Sequence, residues 1–203
     1  MSDYVVHFTK PQGHSSAYDG IMGILSQQVI RAYNPFGIAR QTAPNIDSQR
    51  VACFSETPLH YLSRIVDRRS QYGIVFRKNF VVSRGGNPIL YAYKDQPVAD
   101  AIRALMAQGR NTPDAHIWTI TPFVDVVGGT YNFEWEREWR HVGDFSFTPA
   151  DVAFLIIPQD SHQAARQFFE DAGAENVGPN YNCPFIDGRW NEAQIANHLS
   201  GPW

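Results

Sequence analysis

Apolar residues fall along this chain in short blocks, and the spacing within each block names the element it forms. Tyr4 to Thr9 is β-branched and aromatic, and reads as a strand that ends at Pro11 and Gly13. Ile21, Ile24, Leu25 and Val29 recur at helical spacing, so Ser15 or Ser16 should cap a helix reaching about Arg31. Asn34-Pro35-Phe36-Gly37 stops it. Val51 to Ser55 fits a buried strand. Thr57 and Pro58 then open a helix whose stripe is Leu59, Leu62, Ile65 and Val66. Gly73 to Arg77 and Phe80 to Ser83 read as strands, with Arg84-Gly85-Gly86-Asn87-Pro88 as a turn into the strand Ile89 to Tyr93. Asp95 caps a helix carrying Val98, Ile102, Leu105 and Met106, closed by Gly109. Trp118 to Val127 is mostly apolar. Val152 to Ile157 is a strand ended by Pro158. A helix capped by Asp160 or Ser161 turns Ala165, Phe168, Phe169 and Ala172 inward, and a last short helix covers Glu192 to Leu199. Short strands with interspersed helices and no repeat predict one mixed α+β domain over residues 1–203, with one or two sheets.

Composition narrows the function. At 203 residues and 43% hydrophobic the chain can bury a sizeable core, and its 18% charged residues exclude intrinsic disorder. A net charge of -3 excludes a general nucleic-acid coat, which rests on excess Lys and Arg. No apolar run reaches the length of about 18 residues that a membrane helix needs. Met1 to Lys10 lacks the basic start and apolar core of a secretory signal. Cys53 and Cys183 have no partner at metal spacing, which suits reduced thiols in a cytoplasmic protein. The histidines show no H-E-x-x-H pairing, so no metal is expected.

The densest chemistry lies in Phe133 to His141. As a strand it puts Glu134, Glu136, Glu138 and Arg140 on one side and Phe133, Trp135, Arg137, Trp139 and His141 on the other. Neighbouring carboxylates repel, raising at least one pKa in a low-dielectric cleft and suiting it to acid–base or electrostatic work. The same pattern also suits a charged strand edge that discourages aggregation. His7, inside an apolar strand, is either a core histidine or a ligand-facing one. Ser55, in Cys53-Phe54-Ser55-Glu56-Thr57-Pro58 at a strand-to-helix junction, is either an ordinary capping residue or a ligand contact. Cys53 sits in an apolar run without an adjacent base, so it is not expected to act as a nucleophile.

His7, Ser55 and the Glu136-Arg137-Glu138 triplet together resemble the three-part active-site pattern of ADP-ribosyltransferases. The chain also resembles the AbiGi-like proteins of bacterial abortive phage resistance. That likeness is carried by Tyr4 to Thr9, Val51 to Leu59, Tyr72 to Lys78, Gly85 to Pro88 and Glu136 to Arg140. The transferase resemblance implies a split mixed sheet with flanking helices and NAD as substrate. It implies that His7 holds the adenosine side, Ser55 the nicotinamide ribose, and Glu138 the cationic ribose of the transition state, while Glu136 activates the acceptor.

The expectation is therefore transfer of ADP-ribose from NAD to a protein or nucleic-acid acceptor, as a toxin or effector in phage defence. The alternative is a non-catalytic antitoxin or sensor on the same fold, paired with a cognate toxin. A third reading, a glycosidic hydrolase using Glu136 and Glu138, is disfavoured because neighbours on one strand face point the same way rather than flanking a bond.

Overall fold

A computed structural model describes residues 2–56, 58, 61–128 and 137–200. In chain order the first elements are β1 (Tyr4–Phe8), α1 (Ala17–Gln27), β2 (Val29–Ile30), β3 (Val51–Ser55), α2 (Leu62–Arg68), β4 (Gly73–Arg77) and α3 (Lys78–Ser83). Next come β5 (Asn87–Pro88), β6 (Leu90–Tyr93), α4 (Pro97–Gly109), α5 (Ile117–Ile120), β7 (Val124–Val127), β8 (Glu138–Val142) and β9 (Phe145–Ser146). The last are β10 (Val152–Ile156), α6 (His162–Ala174), β11 (Phe185–Ile186) and α7 (Glu192–Ser200). The mixed α+β class is as expected.

The chain divides into two compact units. The first comprises Met1–Val29, Ser55–Phe80 and Ser146–Trp203; the second comprises Ile30–Phe54 and Val81–Phe145. In the first, strands run in the order β11-β10-β4-β1. β4 is antiparallel to both β1 and β10, and β11 runs parallel to β10. Val6, Val75, Phe154 and Ile156 build a core on one sheet face with Leu62 and Val66 of α2 and Ile195 of α7. The opposite face buries Val5, Ile74 and Phe76, as alternation requires. α1 is held at its start by a reciprocal box, in which Ser16 Oγ accepts from the Asp19 amide and Asp19 accepts from the Ser16 amide.

In the second unit β3, β8 and β5 are neighbours, and β6 pairs in parallel with β7. α4 and α5 connect that pair, as a parallel pairing demands. Ala39, Ala43, Ala92 and Ala99 pack with Ile102, Ile117, Trp118 and Val124 into its core.

Two sequence expectations are corrected. Phe80 to Ser83 is not a strand: it lies in the helix α3, which follows β4 without a break. A short apolar run cannot by itself distinguish the two, and the helix is what turns Val81 inward while leaving Val82 exposed. The Gly85-Gly86 turn ends that helix. Gly85 has φ +91°, and the Gly86 amide donates to the Val81 carbonyl at 2.9 Å. The helix expected from Thr57 begins, among the described residues, at Leu62, with Tyr61 at its N-cap and no side-chain cap bond; Thr57, Leu59 and His60 lie outside the described residues.

Candidate functional site

The most highly charged enclosure in the second unit is built on β8. Its alternation places Glu138 and Arg140 on one face and Trp139 and His141 on the other, as expected. Trp139 is buried, and the His141 ring stands edge-on to Phe145 at 5.2 Å. Trp135 lies outside the described residues.

Arg140 is 1% exposed, the largest fully buried side chain described. Its Nε donates to Glu138 Oε1 at 2.8 Å, its Nη1 donates to the Pro122 carbonyl at 2.7 Å, and its Nη2 pairs with Asp125 Oδ2. The guanidinium carbon lies 5.3 Å from the Phe36 ring centre. Burial opposes its charge, but the Glu138 and Asp125 carboxylates outweigh burial and hold it firmly protonated.

Two further groups adjoin the pair. The Glu138 amide lies 3.4 Å from the Tyr91 phenol oxygen, and burial first, with Glu138 and Asp125 adding to it, pushes Tyr91 up to about 12. Burial also pushes the Cys53 thiol well above its usual range. Glu138 adds to that and Arg140 partly offsets it. A protonated thiol beside a carboxylate is a poor nucleophile, in keeping with the sequence expectation, although its surroundings are charged rather than apolar.

On the described part of this face the neighbour of Glu138 is a buried cation, Arg140, which it pairs with at 2.8 Å. Glu136 lies outside the described residues, as does Glu134.

His7 and Ser55 belong to the first unit. Ser55 stands directly opposite Val6 in the antiparallel pairing of β1 with β3, so its side chain shares the Val6 face. His7, one residue on, faces the other way, beside Ile74 in register. The strands are adjacent, but the two side chains are not brought together. The buried ionic group next to Ser55 is Glu56, which accepts from Lys78 Nζ at 3.0 Å and from the Ser2 amide at 3.2 Å.

Sequence reasoning passed over Asp125, Tyr91 and Glu56. Asp125 had a signal: a lone carboxylate inside the apolar run Trp118 to Val127 needs a buried partner. Among the described residues no cluster of His, Cys, Asp and Glu is placed to hold a metal, and no helix is long and apolar enough to cross a membrane.

These features define an α+β protein with a buried cluster of one arginine and two carboxylates. A model of the AbiGi family, described as abortive phage resistance protein, antitoxin, matches residues 34–172, well over half of the chain. The chain belongs to that family, and its role is in abortive phage infection. No curated protein and no solved structure matches it.

Proposed function

We propose that this chain is a non-catalytic antitoxin that acts by binding a cognate toxin protein. The observation that carries this reading is the engagement of Glu138 by Arg140. A carboxylate committed to neutralising a buried guanidinium is costly to redirect toward a cationic ribose, because that would leave Arg140 less compensated. The opposite facing of His7 and Ser55, the protonated Cys53 thiol and the antitoxin description of the family support the same reading.

The test is direct. Purified chain is mixed with its cognate toxin and run by size exclusion, and nicotinamide release from NAD is measured alongside. A stable complex with no release is expected. Release by the wild type that disappears in Glu138→Gln would overturn it.

A second reading keeps ADP-ribose transfer from NAD to a macromolecular acceptor. It is favoured by the 19% exposure of the Glu138 side chain, which leaves one flank of the carboxylate reachable. In that reading Glu138 stabilises the ribose cation and Glu136 activates the acceptor.

A further inference from the structure

An open cleft of about 410 Å³ in the first unit is used by none of the roles above. Its lining is Gln159, Trp190, Gln194, Asn197 and His198. α7, which supplies the last three, lies beyond the stretch matched by the family. The volume falls in the range of ligand sites, about 300–1,000 Å³.

One wall is aromatic. The Trp190 ring stands edge-to-face against His198, the other ring of the lining, at 5.1 Å, and also contacts His162, outside the lining, at 5.5 Å. The indole N–H donates to Gln159 Oε1 at 2.8 Å. An indole N–H can only donate, so Gln159 must present its oxygen there, and its NH2 is the group left over. Gln194 repeats the arrangement: its Oε1 accepts from the Asn191 amide at 2.9 Å, which again commits the oxygen and leaves the NH2. Asn191 Oδ1 accepts the Gln194 amide in return, so the start of α7 is capped by its own side chains and an anion is not needed there. Among the described residues, no Lys, Arg, Asp or Glu lines the cleft.

The complementary ligand has a flat apolar face, hydrogen-bond acceptors on its edge and no required charge. A purine base has all three: it stacks on aromatic rings, and Asn and Gln amides pair with its ring nitrogens. We propose that this cleft binds an unpaired purine base, carried on a free nucleoside or in a single strand. This is independent of the toxin-binding reading.

The experiment titrates full-length 15N-labelled protein with adenosine, guanosine, uridine and adenine-rich and uridine-only RNA hexamers, following the Trp190 indole N–H resonance. Variants Gln194→Ala and Asn197→Ala remove exposed side-chain amides; Gln194→Ala also removes the cap on the Asn191 amide, so circular dichroism checks that each variant keeps its helix content. The expected result is a saturable shift with a purine nucleoside, insensitive to salt and about tenfold weaker in either variant. A shift given only by the adenine-rich hexamer, with the same loss in the variants, supports the single-strand source. Equal response to the uridine-only hexamer, binding unchanged in both variants, or no shift with either the adenine-rich hexamer or a purine nucleoside at about 10 mM, weaker than any useful affinity, overturns the proposal.

Discussion

Glu138 and Arg140 stand two residues apart on β8 with their side chains on one face, and Arg140 Nε donates to Glu138 Oε1 at 2.8 Å. Because Arg140 is 1% exposed, no solvent replaces a lost partner. Breaking a buried pair costs about 3–5 kcal/mol, and Asp125 remains on the guanidinium, so Glu138→Gln should lose an amount near or below the lower end of that range. Urea denaturation of the two proteins measures it. Equal or greater stability of Glu138→Gln would show that repulsion, not pairing, governs this carboxylate.

Arg140→Met should do more harm than Glu138→Gln at neutral pH, because it leaves the Glu138 and Asp125 carboxylates without their shared cation. Urea denaturation of the two variants at one neutral pH compares them. Equal or smaller loss in Arg140→Met would show that Glu138 and Asp125 are held by something other than Arg140.

His162 makes stability depend on pH. Burial first, with His198 and Arg166, pulls its pKa below the ordinary 6.5, against the Ile157 carbonyl and Asp187. The folded state thus prefers the neutral ring. Its contribution to stability is present above pH 6.5 and is lost as pH falls from there through the lowered value. Wild-type stability should drop as pH falls below about 6.5, and His162→Gln should flatten that drop. Parallel curves for the two proteins would place the acid sensitivity elsewhere.

Neither thiol should react quickly in the native protein. Burial pushes Cys183 up to about 12 and Cys53 further. A thiol reagent at pH 8 should modify both cysteines in urea and neither rapidly without it. Fast native labelling of Cys53 would mean that the Glu138–Arg140 enclosure opens.

Trp139→Ala should cost about 3–5 kcal/mol, since Trp139 is 7% exposed and stands opposite Pro88 of β5 in the pairing with β8. A stable variant with altered ligand binding would instead make this face a site wall.

What the sequence revealed depended on how unambiguous each local pattern was. Val51 to Ser55 and Gly73 to Arg77 were legible end to end, because continuous apolar runs bounded by polar or glycine residues suit buried strands. Phe80 to Ser83 was not, since four apolar-rich residues fit either period and Gly85 decides only through its left-handed backbone. The Glu138 and Arg140 face followed from alternation alone. Their pairing with Asp125 did not, because Asp125 arrives from β7 and no local pattern specifies which strand meets which. The same limit applies to His7 and Ser55: their strands are neighbours, but the register that sets Ser55 opposite Val6 sends them to different faces.

β4 lies between β1 and β10, and β10 begins at Val152, long after β4 ends at Arg77. Synthesis runs in one direction, so β1 and β4 leave the ribosome well before the strand that completes their far side. At about 5–20 residues per second, the intervening roughly 75 residues take about 4–15 s. Through that interval Ile74, Val75 and Phe76 have no β10 beside them, and the newborn chain is open to chaperones and to mispairing with its own copies. Conditions that slow translation should lengthen that exposure and lower the yield of folded protein, with no change in the stability of molecules already complete.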